Sequence, residues 1–210
     1  MKLKHLILVS FILFGSLWGL SEIWVGEAAL MKGLPRAPIL TALAVFFLIL
    51  TRRLWDVPGS SFALSILAAS FKFLQHPFWG CKIAAVLILG ATFDIAWSLF
   101  REKALERPAA RSAVRSVLAT YAAFTLFAHF ARYVLQYPYW AVPGRMMEYQ
   151  LIEGSIAAAL VIPVTVAGLA LARRVSTAAD GWSGATWLAY RIAAVGSGIV
   201  GAATALALRY

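Results

Sequence analysis

The chain is poor in the side chains that do most protein chemistry: one cysteine, three histidines and nine acids among 210 residues. Cys81 has no second cysteine to join, so neither an intramolecular disulfide nor a C-x-x-C pair can form. No G-x-x-x-x-G-K-S/T loop occurs, so the chain lacks the phosphate cradle with which such proteins hydrolyse ATP. No nucleophile, base and orienting residue fall in a pattern that assembles a catalytic set, and the sequence predicts a protein that is not an enzyme. Charge is scarce as well, at 13% of residues, where soluble domains carry about a quarter.

What fills the chain instead is hydrocarbon. Apolar residues make up 62%, a balance that belongs to an integral membrane protein. A helix rises 1.5 Å per residue and needs about 20 residues to cross a bilayer core. Seven candidate spans follow, at 6–26, 37–54, 59–76, 83–100, 114–136, 150–172 and 186–208. They use up the apolar runs. The expectation is therefore one all-α transmembrane domain over 1–210, a polytopic helical bundle of six to seven transmembrane helices. The second and third spans are short, with fifteen uncharged residues between Arg36 and Arg52 and again between Asp56 and Lys72. Lys2 and Lys4 ahead of the first run resemble a secretory signal, but no A-x-A pattern follows, so the run is expected to remain as a span.

A net charge of +10 would suggest nucleic acid in a soluble protein. Here the cations gather at span ends, where they meet anionic lipid headgroups, and nucleic acid is not expected as a partner. With the N-terminus in the cytoplasm, eleven Lys and Arg fall in inner segments and five in outer ones, with Lys72, Arg132 and Arg191 inside spans. The positive-inside rule then predicts a multi-pass protein of the cell (inner) membrane, N-terminus cytoplasmic and C-terminus outside. Trp24, Trp55, Trp79, Trp140 and Trp182 stand near span ends, as interfacial anchors do.

Against this background a few polar residues share one depth. Glu22 and Glu27 close the first span, and Lys72, Gln75 and His76 close the third on one helix face. His129, Arg132 and Gln136 share a face in the outer half of the fifth span, and Glu153 opens the sixth. Together they form a candidate pocket for a small solute. Mixed charges suit a zwitterionic or anionic metabolite better than a bare cation. The bland alternatives are snorkelling of Lys72 and Arg132 to headgroups, or structural pairs such as Glu22–Lys72 and Glu153–Arg132. The outer loops "MKGLPRAP", "HPFWGCK" and "YPYWAVPGR" carry the prolines, glycines and aromatics of a shaped mouth. Neither metal nor other cofactor is expected. Glu22 and Glu27 lie about 140° apart on a helix, so both reach one metal with His76 only if the helix unwinds. His129 is the one histidine in mid-span, which excludes bis-histidine haem. Deeper, Asp94 and Arg191 sit at similar depth on the inner side and suggest a structural ion pair.

Small residues complete the pattern. Gly15-x-x-x-Gly19 gives the first helix a smooth face free to dock another helix. That face and "PGSSFALSILAASFKF" at 58–73 carry a resemblance to the substrate-binding S components of energy-coupling factor (ECF) transporters, spanning residues 6 to 136. The resemblance implies a ligand in the outer half of the bundle under loop lids. It also implies a membrane scaffold subunit, with its ATPase subunits, docked on Gly15 and Gly19. Typical members have six helices and both termini inside, where seven are counted here. The functional expectation is a substrate-binding component for uptake of a small solute; an accessory or structural subunit of a larger membrane complex is the alternative.

The orientation is open to a direct check. Cys81 should react with an impermeant thiol reagent in intact cells, whereas a cysteine introduced as Ala104→Cys should react only after permeabilisation. Labelling of the Ala104→Cys variant in intact cells would invert the topology.

Overall fold

A backbone in hydrocarbon has no water to bond, so each span must satisfy its own N–H and C=O groups, and the helix does this within one segment. The computed structural model describes residues 2–74, 80–99, 108–179 and 184–207, and among them no strand occurs. The helices are α1 (Lys2–Met31), α2 (Arg36–Leu54), α3 (Ser60–Ser70), α4 (Gly80–Leu99) and α5 (Pro108–His129), then the short α6 (Pro138–Ala141) and α7 (Arg145–Glu148), and finally α8 (Gly154–Ala179) and α9 (Gly184–Ala207). A 3₁₀ turn, Phe71–Leu74, extends α3, and π turns at Phe130–Val134 and Tyr149–Glu153 extend α5 and join α7 to α8.

Five helical segments are long and apolar enough to cross a membrane: Leu8–Met31, Arg36–Leu54, Gly80–Leu99, Ala109–Val134 and Arg145–Thr177. The segments Ser60–Phe73 and Ala189–Val200 are apolar but shorter. Among the described residues helix lies on part of each of the seven marked segments, five of them long and apolar enough to cross, and α1, α5 and α8 begin or end several residues beyond them. In particular α1 runs on to Met31, so Glu22 and Glu27 stand within the helix rather than at its end.

Six helices close a ring. α1 packs on α2 and α3, α3 on α4, α4 on α5, α5 on α8, and α8 on α2, while α9 joins from outside through α1 and the 3₁₀ turn. Ser10 Oγ and Tyr190 OH, 2.8 Å apart, tie α1 to α9. The ring interior is filled by Trp18, Leu48, Ile49, Leu64, Phe93 and Val161, all fully buried. Of the expected interfacial tryptophans, Trp24 is exposed, but Trp55 and Trp140 are packed inside at 7% exposure each. Trp79 and Trp182 lie outside the described residues, as does Ala104.

The Gly15–Gly19 face is not free. A Cβ on Gly15 would lie 2.5 Å from Leu67 Cδ2, and one on Gly19 would lie 2.5 Å from Phe71 Cδ2. The stripe serves α3, which it admits against α1, and the expected use as a docking surface is corrected to internal packing. Gly90 does the same for α4, lying against Ser65 of α3.

At the α2–α3 turn end, α3 is pinned by charge. Its N-cap Gly59 offers no side-chain cap, and the carboxylate of Asp94 on α4 accepts the Phe62 N–H at 3.1 Å instead. Asp94 is paired with Arg52, 3.4 Å away, and Arg52 also donates to Ser98 Oγ at 3.1 Å and to the Val57 carbonyl. This corrects the expected Asp94–Arg191 pair. Arg191 is exposed on α9, which packs on α1 rather than α4, so equal depth did not mean adjacency.

Gly19→Ala should therefore lower stability by about 1–3 kcal/mol, because the added methyl must push Phe71 and α3 outward. Gly196→Ala in α9, where a Cβ meets nothing within 4 Å, should be neutral or stabilising by up to about 1 kcal/mol. Thermal unfolding in detergent distinguishes the two.

Candidate functional site

The close approach of α3 to α1 sets up the site. Phe71 seats on Gly19, and the next residue, Lys72, turns through the 3₁₀ segment toward the carboxylate one helical turn beyond that glycine. Lys72 Nζ lies 3.1 Å from Glu22 Oε2 and donates to the Glu22 carbonyl oxygen at 3.0 Å. Trp18 Nε1 donates to Glu22 Oε1 at 3.2 Å. Lys72 and Glu22 are 3% and 6% exposed, so both charges are withdrawn from solvent and each needs the other. Of the two pairs weighed from sequence, Glu22–Lys72 is formed.

Beside this bridge lies a cavity of about 240 Å³. Its charged wall is Glu22, Lys72, Arg36 and Lys82, Thr41 and Tyr149 add hydroxyl-bearing residues, and its apolar wall includes Leu40, Val86, Leu89 and Phe127. Residues from α1, α2, the 3₁₀ turn, α4, α5 and the π turn at Tyr149 therefore converge on one space. Arg36 reaches it across α1. Its Nη2 is 3.3 Å from Glu27 Oε1, and it lies so near Gly26 that a Cβ there would sit 2.9 Å from Nη2. Lys82 is half-buried and has no carboxylate within 4.0 Å among the described residues. Arg36, Lys72 and Glu27 are the main charges acting on it.

The loops expected to shape a mouth do contribute. Arg36 comes from the first, and Cys81 and Lys82 from the second, though as helical residues, since Arg36 opens α2 and Cys81 and Lys82 lie in the first turn of α4. In the third, Trp140 stands edge-on to Phe127 and to Tyr149, with ring centroids 5.6 Å and 4.9 Å apart. Of the cavity-lining aromatics, Phe127 precedes one π turn and Tyr149 opens the other. Such turns add a residue to the helix and re-aim the side chains beside it, and they recur at functional sites.

Other predicted residues fall elsewhere. The π turn at Phe130–Val134 breaks the α-helical spacing on which the shared face of His129, Arg132 and Gln136 rested. His129 is exposed, with Nδ1 2.7 Å from the Thr125 carbonyl. Gln136 is exposed too, and ends the helix at φ 53°. Arg132 donates to the Trp140 carbonyl at 3.3 Å and to Met146 Sδ at 3.6 Å, and so does not pair with Glu153. Glu153 is half-buried in the second π turn, away from the cavity lining. Gln75 and His76 lie outside the described residues.

Of the lining residues, Glu22 and Lys72 had been picked out from sequence; Arg36, Lys82, Phe127 and Tyr149 are among those that had not. Lys82 and Arg36 carried a legible signal, since each is a cation at a span end in a loop already marked as a mouth. Phe127 and Tyr149 carried none, because in an apolar chain two more aromatics look like core. Comparison with protein-family models, curated proteins and solved structures finds no match for the chain.

Because Arg132 and Glu153 do not meet, the stability losses of Arg132→Met and Glu153→Gln should add within about 0.5 kcal/mol in the double variant. A coupling well above that in thermal or denaturant unfolding would restore the pair expected from sequence.

Proposed function

We propose that the chain is a multi-pass cell-membrane protein whose cavity binds a small solute for uptake, with the N-terminus in the cytoplasm and the cavity toward the outside. The observation that carries this is the cavity itself. The buried Arg52–Asp94 pair, at one end of α3, lines no part of this cavity, although its exposure is like that of Lys72 and Glu22. At the other end the charges of Glu22, Lys72, Arg36 and Lys82 instead face a space large enough for a small molecule. Mixed apolar and polar walls of this kind suit a metabolite, since the apolar surface supplies affinity and the few polar groups orientation.

Carriage across the membrane would draw energy from outside the chain, because no phosphate loop is present. An ECF-like arrangement with separate scaffold and ATPase subunits fits that need, and the closed ring of six helices, with α9 added outside it, suits the six-helix plan of such S components. Docking of a scaffold would then use a face other than Gly15 and Gly19.

Native mass spectrometry of the full chain in mild detergent tests the proposal. It should show a small molecule bound to the wild type and lost from an Ala85→Trp, Val86→Trp variant whose cavity is filled. Absence of any small molecule, with the chain instead retaining another membrane protein on which its stability depends, would favour the accessory-subunit reading.

A further inference from the structure

We infer that the solute is a small, largely apolar organic anion and that Lys82 selects it, an inference that rests on the cavity being a solute site. The charge balance of the cavity carries it. Three cations line the space. Lys72 is matched by Glu22 at 3.1 Å and Arg36 by Glu27 at 3.3 Å. Lys82 remains, half-buried, with no carboxylate within 4.0 Å among the described residues. Among the described residues the site is one negative charge short.

A half-buried cation facing apolar walls is costly without a counter-charge, and the cost falls when an anion enters. A carboxylate or similar group beside the Lys82 ammonium would make a charge-assisted hydrogen bond in a poorly solvated space, where such bonds are strongest. The same balance disfavours a cationic solute, which would meet an uncompensated positive charge.

The rest of the wall limits the rest of the ligand. Leu40, Ala85, Val86, Leu89 and Phe127 offer no hydrogen bonds. Thr41 and Tyr149 bring the hydroxyls among the uncharged lining residues, so a sugar or polyol would bury more hydroxyls than the wall can partner, whereas a short chain or a single ring would not. The volume of about 240 Å³ leaves room for little more than that.

An anionic phospholipid headgroup offers Lys82 the same charge, so the test includes both sources. Thermal unfolding of the full chain in neutral detergent is followed with hexanoate, hexanamide, hexylammonium or phosphatidylglycerol added. Hexanoate should raise the midpoint as its concentration rises, with the amide and the amine ineffective. Lys82→Met should fold at least as stably as wild type without ligand, and should weaken the apparent hexanoate affinity by at least about tenfold. Lys82→Arg should keep most of it, and Lys32→Met, exposed at the α1–α2 turn, should change nothing. Stabilisation by phosphatidylglycerol through Lys82, with none by hexanoate, would assign the counter-anion to lipid and overturn the inference. Equal responses to hexanoate and hexanamide, unchanged in Lys82→Met, would overturn anion selection while leaving a solute site in place. No response to any additive would overturn the inference, and if native mass spectrometry also finds no bound molecule the solute reading falls with it.

Discussion

The buried bridge between Lys72 and Glu22 is the contact on which the rest of the site depends. Either charge alone, desolvated against apolar neighbours, would be several kcal/mol out of balance. Together they are satisfied at 3.1 Å, with the Glu22 carbonyl and Trp18 Nε1 completing the hydrogen bonds. The bridge cannot form unless α3 lies hard against α1, and that approach is what Gly15 and Gly19 permit by leaving room for Leu67 and Phe71. Glycine stripe and ion pair are therefore one device. The stripe brings the backbones together, and the pair fixes the rotation and depth at which they meet.

The same helix is held at its other end by a second ionic cluster. There Arg52, Asp94 and Ser98 join α2 to α4, and Asp94 caps α3 through Phe62 N–H. α3 is the shortest of the six ring helices, with only eleven residues. A short helix has little apolar area with which to anchor itself, and its unsatisfied terminal groups are a larger share of the whole. Ionic contacts at both ends supply what length does not. The two clusters are alike in exposure and differ in one respect that matters for function: Glu22 and Lys72 line the cavity, and Arg52 and Asp94 do not.

Much of the architecture was legible because its physics is local. An apolar run long enough to span a bilayer reads as a helix with no knowledge of its neighbours, and five helices long and apolar enough to cross stand among the described residues. Glu22 and Lys72 were legible for a related reason, since a charge inside an apolar run calls for a partner at the same depth. What stayed hidden needed the third dimension. Depth alone could not show that α9 lies outside the ring, so Asp94 was matched to Arg191 when Arg52 was the neighbour. Regular helical spacing could not foresee the π turn that separates His129 from the face of Arg132 and Gln136, nor that Arg132 would donate to the Trp140 carbonyl. A glycine stripe reads the same whether the helix on it belongs to the chain or to a partner, and here it is α3.

These constraints make the bridge the point at which the account is most exposed. If Glu22 and Lys72 hold α1 to α3 as described, each single change strands a buried charge, and the pair should be strongly coupled. The measurement is a double-mutant cycle on the stability of the full chain, with Glu22→Gln, Lys72→Met and both together. The account predicts that each single change costs about 3–5 kcal/mol and that the double variant recovers most of one of those losses. Losses that simply add, or single changes that cost less than about 1 kcal/mol as at an exposed pair, would contradict it.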